Sequence, residues 1–150
     1  MKNLILYISI IFCSLGFSQE SLSEVLDKYN SESIPYISSS DLSELKKDMI
    51  LLDARELKEY KVSHLKNAVF VGYDNFKLKK TTKQLKDKQQ TIVVYCSLGI
   101  RSEDIAEKLK KAGYTNVYNL YGGIFEWKNN NFSVFNISKA SLPSLAINTS

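Results

Sequence analysis

The chain holds 150 residues, 20 of them basic and 16 acidic for a formal net charge of +4, and 44% are hydrophobic. That is the size and make-up of about one folded domain, which excludes a multi-domain machine, a disordered polyelectrolyte and a Gly- or Pro-rich fibre. Two cysteines, Cys13 and Cys96, exclude a disulfide scaffold.

Lys2 precedes an apolar run from Leu4 to Phe17, and small residues, Gly16 and Ser18, stand three and one positions before Gln19. This predicts a secretory signal peptide over 1–18, because the run is shorter than the roughly 20 residues a membrane span needs. The expectation is an exported chain, periplasmic or secreted, with no stable membrane span after cleavage. Such a chain keeps one cysteine, Cys96, either inert in the core or free for chemistry.

From Ser21 to Tyr29, Leu22, Val25, Leu26 and Tyr29 recur at helical spacing, which predicts an N-terminal helical segment within 19–35. Ser40-Asp41-Leu42-Ser43-Glu44-Leu45 opens a second helix with cap-type residues. Met49–Asp53, Ala68–Val71, Thr91–Tyr95 and Asn116–Leu120 read as strands buried on both faces, and helical patterns lie between them at Phe76–Lys88 and Ser102–Ala112, with Gly113 as a stop. Alternating strands and helices predict an α/β fold with a mostly parallel sheet. Six lysines between Lys77 and Lys88 read as a solvated face, since no Arg cluster or interleaved aromatics mark a nucleic-acid surface. Residues 130–150 read as a loosely packed tail.

Cys96 directly follows the strand Thr91–Tyr95 and stands before a helix start, with Ser97-Leu98-Gly99-Ile100-Arg101 between. Backbone N–H groups converge at such a junction, and the helix dipole adds partial positive charge, so anions are stabilised there. Thiols in this setting ionise more readily than free cysteine. Gly99 permits a positive φ, and Arg101 offers a planar guanidinium to an oxyanion.

Cys96-Ser97-Leu98-Gly99-Ile100-Arg101-Ser102 resembles the active-site loop of rhodanese-domain sulfurtransferases, of common form C-x-x-G-x-R-S. Leu52-Asp53-Ala54-Arg55 with Glu56 and Glu59-Tyr60, His64-Leu65-Lys66-Asn67-Ala68, and Asn119-Leu120-Tyr121-Gly122-Gly123-Ile124 with Trp127 resemble further marks of that family, in order. The resemblance implies a rhodanese domain over 36–129, with an open, mostly parallel five-stranded sheet and helices on both faces. It implies Cys96 as the catalytic nucleophile, carrying sulfane sulfur as a persulfide from thiosulfate or a related donor to a thiophilic acceptor such as cyanide, a thiol or a protein. Ser97, Leu98, Gly99, Ile100 and Ser102 would line the site, Arg101 would hold the donor, and Asp53 and Arg55 would brace the loop from behind. It implies no metal and no organic cofactor, and the lysine pattern gives no expectation of a nucleic-acid partner. His64 would serve the fold rather than act as a base, Gly122 and Gly123 would allow a tight turn, and Trp127 would fill core.

Ser63 and Asn67 stand where the family often has glycine, so a turn of different shape is expected near His64. Two other readings of the loop remain: a non-catalytic sulfur- or anion-binding sensor, and a cysteine-dependent phosphatase. The phosphatase loop has five residues between Cys and Arg, where this chain has four.

Overall fold

The computed structural model describes residues 20–45 and 49–137. The expected signal peptide, Lys46–Asp48 and residues 138–150 lie outside them. The elements are α1 (Leu22–Tyr29), β1 (Tyr36–Ile37), α2 (Ser39–Glu44), β2 (Met49–Asp53), α3 (Leu57–Val62), β3 (Val69–Phe70), α4 (Leu78–Gln84), β4 (Thr91–Tyr95), α5 (Ile100–Lys111), β5 (Val117–Leu120) and α6 (Gly123–Asn129). Five strands form one sheet in the order β1-β5-β4-β2-β3, every pair parallel. Among the described residues no helix is long and apolar enough to cross a membrane.

The two-residue alternation of side chains along β4 divides the core. Ile92 and Val94 pack on one side with Ile105, Ala106 and Leu109 of α5, while Val93 and Tyr95 pack on the other with Leu42, Leu65 and Ile124. Cys96 follows Val94 onto the α5 side. The strand's register therefore decides which face receives the thiol.

Local chemistry accounts for the element boundaries. Ser21 caps α1 in a reciprocal capping box with Glu24, and Ser38 caps α2 by accepting from the Asp41 amide. The predicted helix at Phe76–Lys88 shrinks to Leu78–Gln84, where Lys79 and Lys83 repel at i,i+4 spacing and no acid sits in the first turn. Conversely, α5 starts at Ile100, two residues before Ser102, because Gly99 at φ 114° already caps it. Asn67 takes up the left-handed conformation, φ 60°, that glycine ordinarily supplies, and Ser63 is extended at φ −158°. Neither substitution thus needs a residue without a side chain.

Residues 131–137 return along α3. His64 and Phe135 exchange backbone hydrogen bonds of 2.7 and 2.8 Å, Trp127 Nε1 donates to Ser133 O at 3.0 Å, and Val134 packs against the core.

Candidate active site

Cys96 is 2% exposed at the C-terminal end of β4, where open parallel sheets present their functional groups. The Gly99 N–H donates to Cys96 Sγ at 3.1 Å. Ser102 Oγ lies 3.5 Å from the sulfur and 2.7 Å from Asn119 Oδ1. A hydroxyl has one proton to give, so the shorter contact keeps it on Asn119 until a charged sulfur draws it away.

The rest of the loop is held from outside. At the start of α6 the Ile124 N–H donates to Cys96 O at 2.9 Å and the Phe125 N–H to Ser97 O at 3.2 Å. In a trans peptide the N–H points opposite its carbonyl, so fixing these two carbonyls turns the Ser97 and Leu98 amides the other way. Gly123 permits this approach: a Cβ there would fall 2.4 Å from Cys96 O and 2.6 Å from Ser97 O. The glycine expected to shape a turn serves a close contact with the loop.

Arg101 stands half-buried in the first turn of α5. Its Nη1 and Nη2 each lie 3.2 Å from a Glu59 carboxylate oxygen, and Nη2 also donates to Ser97 Oγ at 3.1 Å. Burial alone would raise the Glu59 carboxyl, but hydrogen bonds from Arg101, the Glu56 amide and Ser97 outweigh it and hold Glu59 below its ordinary value. The guanidinium expected to await an oxyanion is already paired with Glu59, so any anion reaching it would share it with that carboxylate.

Asp53 and Arg55 form a separate pair. Arg55 Nε and Nη2 reach Asp53 at 3.0 and 2.6 Å, both residues are at most 3% exposed, and Arg55 also donates to Ser63 O. The guanidinium lies 5.6 Å from the Tyr95 ring centre, directly before Cys96 in the chain. Burial and the Asp53 charge push the Tyr95 hydroxyl up, so it stays protonated while accepting from the Leu65 N–H at 3.1 Å. His64 stacks on Tyr60 with ring centres 4.3 Å apart, and its Nδ1 lies 3.0 Å from Tyr60 O.

The structure therefore brings Cys96, Ser97, Gly99, Arg101 and Ser102 together, with Leu98 and Ile100 half-buried on the same loop. Sequence reasoning quoted Glu59 and Asn119 within motifs and gave neither a role, and it did not single out Asn30. Their partners stand 42, 20 and 69 residues away, so spacing along the chain carries no sign of them. Asn119 offered one signal, an amide inside an otherwise apolar strand pattern.

A five-stranded parallel α/β sheet with a cysteine-to-arginine loop at its C-terminal edge defines a rhodanese-like protein. The chain belongs to the rhodanese-like domain family, whose profile matches residues 38–130. It is 34% identical over 83 residues to the thiosulfate sulfurtransferase GlpE of Coxiella burnetii, covering 55% of this chain and 75% of that protein. It is 42% identical over 86 residues to the tRNA uridine(34) hydroxylase of Onion yellows phytoplasma, covering 54% of this chain and 27% of the hydroxylase. The chain thus spans about a quarter of that relative's length. Among solved structures, a rhodanese-related protein from Thermoplasma volcanium matches with a TM-score of 0.59 and 28% identity, covering 67% of this chain and 97% of that one.

Proposed function

We propose that the protein transfers sulfane sulfur through a persulfide on Cys96. The Cys96 thiolate attacks the outer sulfur of thiosulfate or a related donor; a new S–S bond forms, the donor's S–S bond breaks, and sulfite leaves with the bonding pair. A thiophilic acceptor, either cyanide, a small thiol or a protein thiol, then takes the terminal sulfur and restores the thiolate. Splitting one transfer into two displacements is the usual gain of nucleophilic catalysis. Ser97, Leu98, Gly99, Ile100 and Ser102 contact the donor, Arg101 takes its anionic end, and Asp53 and Arg55 support the loop. The supporting observation is the 3.1 Å bond from the Gly99 amide to Sγ, made in a loop whose outer carbonyls are tied down. Donors fixed before reaction stabilise developing negative charge at no reorganisation cost.

The test incubates purified protein with thiosulfate and cyanide and compares thiocyanate formation with that of Cys96→Ser, with an aryl phosphate in parallel. Thiocyanate from the wild type alone, with a persulfide on Cys96 by mass spectrometry, is expected. Equal thiocyanate from both proteins, or turnover of the aryl phosphate alone, would end the reading. We also propose export to the periplasm or medium; the N-terminus of the native protein should lie near Gln19, and an intact Met1 in the soluble fraction defeats this part.

A further inference from the structure

We propose that Asn30 is a positioning residue for the cysteine loop, delivered by an N-terminal clasp that precedes the family-matched region at 38–130. Asn30 Nδ2 donates to Gly99 O at 3.0 Å and to Tyr36 OH at 2.7 Å. Asn119 Nδ2, arriving from β5, donates to the same Gly99 O at 2.7 Å. Gly99 O and the Ile100 N–H belong to one trans peptide and point to opposite sides. Two carboxamides pulling on the carbonyl hold the Ile100 N–H toward the loop interior, beside the Gly99 N–H already on the sulfur.

The clasp is fastened on both sides of Asn30. Before it, Leu26 is 2% exposed and its Cδ2 lies 3.6 Å from where a Cβ on Gly99 would sit. After it, Glu103 of α5, 4% exposed, accepts from the Ser31 and Ser33 amides at 3.2 and 3.0 Å, and Ile34 enters the core. Glu103 needs these donors, because a buried carboxylate without them is unstable. Helix α1 and the turn after it are thereby bound to the loop and to the helix that the loop starts.

The role deepens the sulfur-transfer reading, yet one arm of its test is independent of that reading. Backbone amide hydrogen exchange reports local opening residue by residue. Asn30→Ala should raise exchange at Gly99 and Ile100 about tenfold while the amides of β4 keep their protection. Asn30→Asp, which keeps the shape but loses the donor, should match it, and Tyr36→Phe, which removes only the second partner, should have a smaller effect at the same two amides. Tyr114→Phe, which removes the 2.7 Å bond to Leu85 O far from the loop, is the control for general loss of stability and should leave Gly99 and Ile100 unchanged. In the transfer assay, kcat should fall several-fold in Asn30→Ala with the KM for thiosulfate within twofold of wild type. Exchange that rises uniformly, or not at all, in both Asn30 variants overturns the proposal. A wild type that transfers no sulfur, with the local exchange pattern intact, refutes the sulfur-transfer reading and leaves the clasp standing.

Discussion

The chain has two arginines, and both meet a carboxylate, but in contrasting surroundings. Arg55 and Asp53 are two residues apart and at most 3% exposed, in a pair that also takes a backbone carbonyl. Arg101 and Glu59 are 42 residues apart, and their side chains keep 30% and 31% of their exposure beside the cysteine. A sealed pair cannot exchange its partner for a ligand without leaving a charge in the core. A half-open pair can be shared at little cost, because water compensates either member. An arginine–carboxylate pair is thus sealed into the scaffold in one place and lies half-open in the cysteine loop in the other, and burial separates the two settings.

The sharpest way to break the contrast is Arg55→Ala. It strands Asp53 in the core, and losing one member of a buried pair costs about 3–5 kcal/mol. Denaturant unfolding should show that loss, and a loss below about 1 kcal/mol would mean the pair is not sealed. Arg101→Gln should cost less than about 1 kcal/mol in the same measurement, since half-exposed pairs contribute little. It should nevertheless reduce thiocyanate formation at least tenfold, and unaltered turnover would remove Arg101 from the site.

The smallest effect concerns pH. Glu59 is held below its ordinary value, so its pair with Arg101 contributes fully above the unfolded-state value near 4.5 and is lost as pH falls through the folded one. The stability gap between wild type and Glu59→Gln should therefore close as pH drops below about 4.5, and a gap that widens with acid would contradict the assigned direction.

How much was legible in the sequence follows from the range of each interaction. The strand ending at Tyr95, the cysteine after it, the permissive glycine and the helix that begins within the loop occupy contiguous residues, so periodicity and motif exposed them together. The contact between Asp53 and Arg55 is local as well, because a strand end followed by a tight bend brings i and i+2 into reach. By residue type, Asn67 and Ser63 depart from the family's glycines. Only backbone conformation showed that asparagine meets the left-handed requirement and that serine faces none.

The sequence by itself determined the alternation of strands and helices, the family and the place of the cysteine loop, because hydrophobic period and loop chemistry are written in neighbouring residues. Tertiary structure alone decided that Glu59 occupies Arg101, that Gly123 admits α6 to the Cys96 and Ser97 carbonyls, and that Asn30 and Asn119 converge on Gly99 O. Each of these is a contact between segments distant in the chain, fixed by the order and register in which the strands assemble.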